Sequence, residues 1–313
     1  MMVDLSVVVP CHNEAGQLLA LKQALVATMT EHLPELAFEV VLVDDGSTDG
    51  TAELIEQICA ENPHFRGLSF SRNFGKESAM LAGLEASVGQ YVVIMDADLQ
   101  HPPELIPELY HQIVQNGVDQ VIARRNRAGD SFWRSLVSKA YYRLVNSMVD
   151  VKLQDGEGDF RILSRRAVTA LVSLRETNRF SKGLFSWIGF PTEVMEYQNV
   201  TRDGGTSSWS TKSLINYGIE GVVSFNSKPL RSVIYLGAII FGLSLLYLVY
   251  LLGQYLVVGV TTPGYVTTIA VIIMFGGAQL FGLGIVGEYV GRLYQEVKSR
   301  PHYLVYRTFG QSE

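Results

Sequence analysis

Short apolar runs alternate with segments of helical spacing along the first hundred residues. Residues 5–10, 38–43 and 91–95 are rich in Val, Leu and Ile, and polar residues follow each run, which predicts three buried strands. Between the first two runs, Leu and Met recur every three or four positions over residues 16–32, as in an amphipathic helix. This strand–helix–strand order predicts an α/β domain with a mainly parallel sheet.

The polar residues after these strands are expected to lie close together. They are residues 10–14, the pair Asp44 and Asp45, and residues 96–98. In open α/β sheets ligands bind at the carboxyl ends of the strands, so the three groups would converge on one crevice. A carboxylate there can accept hydrogen bonds from ribose hydroxyls or a base N–H. The first strand has no G-x-G-x-x-G after it, which weakens the dinucleotide interpretation.

Asp96 and Asp98 form an Asp-x-Asp pair directly after the third strand, and Gln100 adds another oxygen ligand. Mg²⁺ and Mn²⁺ prefer oxygen ligands and often complete their shell with substrate phosphates. The pair alone is also typical of a solvated turn or a helix cap. The preceding strand and the stop at residues 101–103, His-Pro-Pro, favour a site for a metal ion and a diphosphate.

Two long uncharged apolar runs lie toward the C-terminus, at residues 233–252 and 264–287. Each can cross about 30 Å of hydrocarbon as a helix, so they predict a transmembrane hairpin. Lys and Arg flank the hairpin, whereas the connector 253–263 contains neither, so the positive-inside rule places both ends in the cytoplasm. Two pairs of small residues lie four positions apart, Ala278/Gly282 and Gly287/Gly291. They would let the two helices pack closely, or would let subunits of a homo-oligomer pack closely.

Two further segments, residues 130–149 and 212–226, carry apolar side chains at helical spacing. We expect both to be amphipathic helices at the membrane surface, although the first pattern is equally typical of a buried domain helix. The predicted layout is therefore a cytoplasmic domain over residues 1–227, the hairpin within residues 228–291, and a cytoplasmic tail over residues 292–313.

Composition agrees with a protein that lies partly in lipid. Of 313 residues, 48% are hydrophobic and the mean hydropathy is +0.18, which is high for a soluble chain. The net charge of −6 argues against a general nucleic-acid-binding protein. Cys11 and Cys59 have no metal-like spacing, so we expect both to be reduced thiols in a cytoplasmic domain.

Four motifs in this order resemble the family 2 glycosyltransferases, which have the Rossmann-like GT-A fold. They are residues 7–14 (VVVPCHNE), 43–50 (VDDGSTDG), 71–76 (SRNFGK) and 96–100 (DADLQ). Residues 158–161 (GDFR) and 287–301 resemble a narrower group, the polyprenyl-phosphate glycosyltransferases. That group includes dolichol-phosphate mannose synthases and bacterial bactoprenol glucosyltransferases.

The resemblance implies a set of site residues. The nucleotide sugar would be bound by Pro10, His12, Glu14, Asp44, Asp45 and Asp96. Mg²⁺ or Mn²⁺ would be bound by Asp96, Asp98 and Gln100. Asp159 occupies the position usually called catalytic, as a base or an orienting group. The acceptor phosphate would be bound by Arg124, Arg127, Arg134 and Arg202.

The resemblance also implies a reaction. The enzyme would transfer glucose or N-acetylglucosamine from UDP to undecaprenyl phosphate at the cytoplasmic face of the inner membrane, with inversion at the anomeric carbon. The product would serve in the modification of cell-envelope glycans. The acceptor phosphate is largely dianionic at neutral pH and can attack without a strong base.

Two alternatives to this reaction remain open. A processive polysaccharide synthase is disfavoured because the chain has no Gln-x-x-Arg-Trp motif and too few predicted spans for a polymer channel. The other alternative is a non-catalytic scaffold or lipid carrier with a glycosyltransferase-like domain. The carboxylates Asp96, Asp98 and Asp159 disfavour it, but Ser208 stands where the family usually has a lysine.

Overall fold

The computed structural model describes residues 3–125, 157–174, 176, 179–197 and 264–310, together with isolated helical positions between 239 and 257. Several predictions fall outside these residues. They are the surface helices 130–149 and 212–226, most of the apolar run 233–252, and the side chains of Arg127, Arg134, Arg202 and Ser208.

Among the described residues, a mixed sheet of eight strands lies at the centre of the fold. The strands are β1 (Leu5–Cys11), β2 (Phe38–Asp44), β3 (Phe65–Phe70), β4 (Tyr91–Ile94), β5 (Gln120–Arg125), β6 (Glu157–Ser164), β7 (Thr192–Tyr197) and β8 (Val305–Phe309). Their order is β7-β5-β6-β4-β1-β2-β3-β8. Strands β4, β1, β2 and β3 run parallel, whereas β6 is antiparallel to both neighbours and β8 is antiparallel to β3. The α/β prediction is confirmed.

Helices cover both faces of the sheet. The helices packed on it are α1 (Leu18–His32), α2 (Thr51–Glu61), α3 (Lys76–Ala86), α4 (Ile106–Asn116), α5 (Arg165–Ser173) and α6 (Ser181–Trp187). A further long helix, α7, spans Tyr265–Val297. Side chains alternate between faces along a strand, so Val7 and Val9 pack with α1, α2 and α4, while Val8 packs with α3, α5 and α6. Because β1 is buried on both faces, it reads as a continuous apolar run.

The C-terminal residues return to this sheet. Within the segment 292–313, for which we predict a cytoplasmic tail, α7 continues to Val297 and β8 pairs with the edge of β3. Phe309 is the buried residue of β8, and it packs in the core beside α2. The sheet is therefore built from two distant parts of the chain.

Helix α7 is 33 residues long and contains almost all of the predicted apolar run 264–287. Across the described part of the chain, no helix combines the length and the hydropathy that a membrane crossing requires. The transmembrane hairpin stays a prediction.

Candidate active site

A cavity of about 320 Å³ opens at the carboxyl ends of β1, β2 and β4. Polar groups from the loops after all three strands face it, as the strand-end pattern predicts. Its lining includes Pro10, His12, Glu14, Asp45, Asn73, Gly75, Lys76, Asp96 and Asp98. Of the six residues predicted to bind the nucleotide sugar, five therefore share this cavity.

The loops after β1 and β2 are tied to each other by side-chain hydrogen bonds. The N–H of Asn13 donates to Ser47 Oγ at 2.9 Å, and Asn13 Oδ1 accepts from the N–H of Thr48 at 2.9 Å. The N–H of Glu14 donates to Thr51 Oγ1 at 3.0 Å. Asn13 has a φ of 57°, a left-handed conformation that Asn tolerates better than most residues. These bonds fix one wall of the cavity.

Asp45 connects this wall to the loop after β3. Its carboxylate accepts the N–H of Phe74 at 2.7 Å and the N–H of Gly75 at 2.9 Å. Burial raises the pKa of Asp45, and these two hydrogen bonds partly offset the rise. The next residue, Gly46, has a φ of +63°, and a Cβ on it would lie 2.3 Å from the carbonyl carbon of Arg72. The two loops therefore approach as closely as a glycine allows.

Asp44 does not line the cavity, although we predicted it there with Asp45. Its side chain is buried, and it accepts hydrogen bonds from Ser69 Oγ at 2.6 Å and from the N–H of Ser47 at 3.0 Å. Asp44 thus holds β2 to β3 and to its own loop. A direct contact between Asp44 and a nucleotide stays a prediction.

His12 is held by backbone and amide groups at the cavity mouth. Its Nδ1 lies 3.0 Å from the carbonyl oxygen of Asp45, so Nδ1 carries a proton and donates it. Asn73 Nδ2 then donates to His12 Nε2 at 3.1 Å. The imidazole ring is therefore fixed against two loops.

Lys76 links the predicted donor side of the site to the predicted catalytic residue. Its Nζ lies 2.5 Å from Asp96 Oδ1 and 2.6 Å from Asp159 Oδ2. Burial would lower the pKa of Lys76, but the charges of Asp159 and Asp96 outweigh it and raise the pKa above its ordinary value. Burial would likewise raise the pKa of Asp159, but the charges of Lys76 and Lys182 lower it. Asp159 therefore stays ionised.

Sequence reasoning gave no role to Lys76, Asn73 or Gly75, although all three belong to the motif at residues 71–76. That motif follows the carboxyl end of β3. Ligands bind at the carboxyl ends of strands in such sheets. A prediction of a strand at residues 65–70 would therefore have added this motif to the expected site.

The chemistry of the predicted metal ligands fits a hard divalent cation. Asp96 and Asp98 offer carboxylate oxygens to one cavity, and an ammonium group already lies against Asp96. Gln100 is exposed, and its N–H donates to Asp98 Oδ1 at 3.0 Å. Within the described ranges, no three His, Cys, Asp or Glu side chains are grouped as a preformed metal site. Metal binding stays a prediction.

Arg124 is the one predicted acceptor-side arginine that the described residues include. It lies on β5 opposite Glu157, two residues from Asp159 on the neighbouring strand. Its guanidinium pairs with Glu196 on β7. Arg124 thus lies near the strand that carries Asp159, and contact of Arg124 with an acceptor phosphate stays a prediction.

Comparison with known proteins extends over nearly the whole chain. Residues 6–171 match the family described as Glycosyl transferase family 2, and residues 228–293 match the GtrB C-terminal hairpin. The putative glycosyltransferase CsbB of Bacillus subtilis (strain 168) is 48% identical over 96% of this chain and 91% of its own length.

Two further relatives carry a more specific name. The bactoprenol glucosyl transferase of Shigella phage SfX is 38% identical over 97% of this chain and 99% of its own. The prophage bactoprenol glucosyl transferase homolog of Escherichia coli (strain K12) is 34% identical over 97% of this chain and 99% of its own.

Proposed function

The chain belongs to the family 2 glycosyltransferases, and we propose that it transfers a sugar from a UDP-linked donor to undecaprenyl phosphate or a similar polyprenyl phosphate. Family membership makes the chain a glycosyltransferase of the GT-A fold. The UDP-linked donor and the polyprenyl-phosphate acceptor are what we propose. The observation that carries the proposal is the position of Lys76, a residue of the cavity lining that contacts both Asp96 of the same lining and Asp159 on β6. A donor sugar bound in this cavity would lie beside Asp159.

The donor half of the site would bind the nucleotide diphosphate. Loops after β1, β2 and β3 place a ring nitrogen, amides and carboxylates around the cavity, and these groups suit the base and ribose of UDP-glucose or UDP-N-acetylglucosamine. Asp96, Asp98 and Gln100 would hold Mg²⁺ or Mn²⁺, which would neutralise the charge that develops on the departing diphosphate.

The acceptor half would position a phosphate for in-line attack on the anomeric carbon, which inverts its configuration. A carboxylate with a lowered pKa is a weak base, so the environment of Asp159 favours an orienting role over proton abstraction. The acceptor dianion needs no strong base. The acceptor phosphate would be bound by Arg124, Arg127, Arg134 and Arg202. The names of the bactoprenol relatives support a lipid acceptor.

A membrane location follows from this acceptor, and β8 supports a particular topology. The chain leaves the catalytic domain after β7 and returns to the same sheet at β8. If it enters the membrane between them, it must cross an even number of times. We propose that residues 233–252 and 264–287 make two crossings, with the catalytic domain and both termini in the cytoplasm. Residues 130–149 and 212–226 would lie on the membrane surface.

A transfer assay tests this function. Purified full-length protein would be incubated with undecaprenyl phosphate, Mg²⁺ and a panel of radiolabelled UDP- and GDP-sugars, and label would be counted in the organic phase. We expect label from one UDP-sugar, and loss of that label in Asp98→Ala. Glu56→Ala, an exposed acid on α2 away from the cavity, is the control and should keep activity. Absence of lipid label from every donor, with folded protein, would contradict the proposal and favour a scaffold.

A further inference from the structure

We propose that Lys76 is an internal cation that occupies the metal side of the cavity and leaves Asp96 when metal and nucleotide bind together. The inference rests on the proposed function, because it assigns the cavity to a metal ion and a nucleotide diphosphate. It explains why a lysine lies between two carboxylates that the reaction requires, and it predicts that metal and nucleotide each need the other.

The geometry places one ammonium group where a metal ligand must be available. Lys76 Nζ contacts Asp96 Oδ1 at 2.5 Å and Asp159 Oδ2 at 2.6 Å. Asp159 lies on β6, and Asp96 follows β4, the strand that pairs with β6. A divalent cation bound to Asp96 would compete with this ammonium for the same oxygen and would be repelled by its charge. A metal ion that binds without nucleotide therefore finds the negative charge of Asp96 already partly neutralised by Lys76.

The backbone around Lys76 gives a second argument. Lys76 is the first residue of α3, and the N-terminus of a helix carries a partial positive charge that disfavours a cation. The ammonium is therefore drawn there by Asp96 and Asp159 rather than by its own helix. The side chain of Lys76 is 43% exposed and lines the cavity, so it can move from Asp96 toward an incoming ligand without repacking the core.

Binding order follows from these charges. Metal alone would displace Lys76 from Asp96 and leave Asp159 as the remaining carboxylate of this pair for the ammonium. A nucleotide diphosphate brings phosphate oxygens that Lys76 can bind, and lysine is well suited to such point-charge contacts. Each ligand should therefore raise the affinity of the other by the same factor, because binding linkage is reciprocal.

Mn²⁺ binding tests the inference directly. Free Mn²⁺ would be counted by electron paramagnetic resonance in titrations of the purified full-length protein, with and without UDP. We expect the wild type to bind Mn²⁺ weakly alone and tightly with UDP. Lys76→Met should bind Mn²⁺ alone about tenfold more tightly than the wild type, because it removes one positive charge beside the site. UDP should enhance Mn²⁺ binding less in Lys76→Met than in the wild type.

Two lysine variants serve as controls. Lys76→Arg keeps a cation and should behave as the wild type does. Lys22→Met removes a lysine that pairs with Glu61 at the same distance of 2.6 Å, but on the outer surface of α1 and α2, and it should leave Mn²⁺ binding unchanged. Lys76→Gln is a second neutral variant in case Lys76→Met folds poorly.

Unchanged or weaker Mn²⁺ binding in both neutral variants would overturn the inference, because a purely structural lysine would behave in that way. Equal Mn²⁺ affinity of the wild type with and without UDP would also overturn it. The titration contains neither sugar nor lipid, so its outcome is independent of the transfer assay. A failure of the proposed acceptor or sugar would appear in the transfer assay alone.

Discussion

The ring of Tyr303 stacks on the ring of Phe70, with centroids 4.8 Å apart and planes inclined by 14°. Phe70 ends β3 and meets Phe74 edge to face at 5.8 Å, and the N–H of Phe74 is bound by Asp45 at the cavity. The segment that follows α7 is thus joined to the predicted donor site through a row of three aromatic rings.

Replacing Tyr303 by alanine should destabilise the catalytic domain. The change removes the stacking on Phe70 and the hydrogen bond from Tyr303 Oη to Glu85, which together are worth about 2 kcal/mol. Thermal unfolding would show a lower midpoint. Tyr306→Ala is the matched control, because Tyr306 lies on β8 with 67% of its surface exposed. Equal midpoints for the two variants would show that the aromatic row adds no stability.

Gly46→Ala should disturb the donor side of the cavity. The new Cβ would lie 2.3 Å from the carbonyl carbon of Arg72, and the φ of +63° is unfavourable for alanine. We expect a loss of roughly 2 kcal/mol or more in stability and weaker UDP binding, both measurable by thermal unfolding with and without UDP. Gly16→Ala is the control, since a Cβ there meets nothing within 4 Å. Wild-type UDP affinity in Gly46→Ala would contradict the close approach of the two loops.

Asp159→Asn should lower kcat by about a hundredfold, the effect expected when a reacting group loses its orientation. Asparagine keeps the shape of the side chain but removes the charge that pairs with Lys76 at 2.6 Å. KM for the donor should change much less, which initial-rate kinetics would show. Glu39→Gln breaks another ion pair of 2.6 Å, with Arg66, away from the cavity lining, and should keep kcat. A donor KM that rises while kcat is unchanged would place Asp159 in ground-state binding instead.

Cys11 and Cys59 are free and buried, and they should react slowly with thiol reagents. Burial raises the pKa of the Cys11 thiol and raises that of Cys59 to about 11, so little thiolate, the reactive form, is present near pH 8. An aromatic disulfide reagent should label both thiols only after denaturant is added. Rapid labelling of the native protein would show that one of them is accessible.

The same pKa shift predicts a change of stability with pH. The pKa of the Cys59 thiol in the folded protein lies above its value of about 8.5 in the unfolded chain. Burial of the protonated thiol therefore contributes fully to stability when the pH is below the unfolded pKa. The contribution is lost as the pH rises toward 11. The thermal midpoint of the wild type should therefore fall more steeply than that of Cys59→Ala between these pH values. If the midpoints of the wild type and Cys59→Ala fall in parallel over this pH range, the raised pKa of Cys59 is contradicted.

The strands that carry the donor site could be predicted because their signals are local. Residues 5–10, 38–43 and 91–95 are short apolar runs with polar stops, and the structure places β1, β2 and β4 there. Once the strands are parallel, their carboxyl ends meet at one edge, so the convergence of Glu14 and Asp96 on one cavity followed from topology.

The different positions of Asp44 and Asp45 required the structure. Neighbouring residues at the end of a strand point to opposite sides, so one of two adjacent acids faces Ser69 while the other faces the cavity. The motif alone treats the two acids as a pair. Lys76 was missed for a similar reason, since its partners come from β6 and from the loop after β4, far away in sequence.

Strand β8 could not be predicted from its own residues. Val305 and Tyr306 are exposed, and Phe309 is the single buried side chain of the strand, so the segment has no apolar alternation. Its pairing with β3 depends on an edge that the rest of the fold creates, and such context decides strand formation more than local preference does.

Product analysis tests the central claim, a direct transfer from a nucleotide diphosphate to a polyprenyl phosphate within one cavity. The purified protein would be given undecaprenyl phosphate and the active α-linked UDP-sugar, and the lipid product would be examined by nuclear magnetic resonance while released UDP is counted. A β-linked sugar phosphate and UDP in equal amounts would support the account. An α-linked product, or UDP released with free sugar in water and no lipid product, would contradict it.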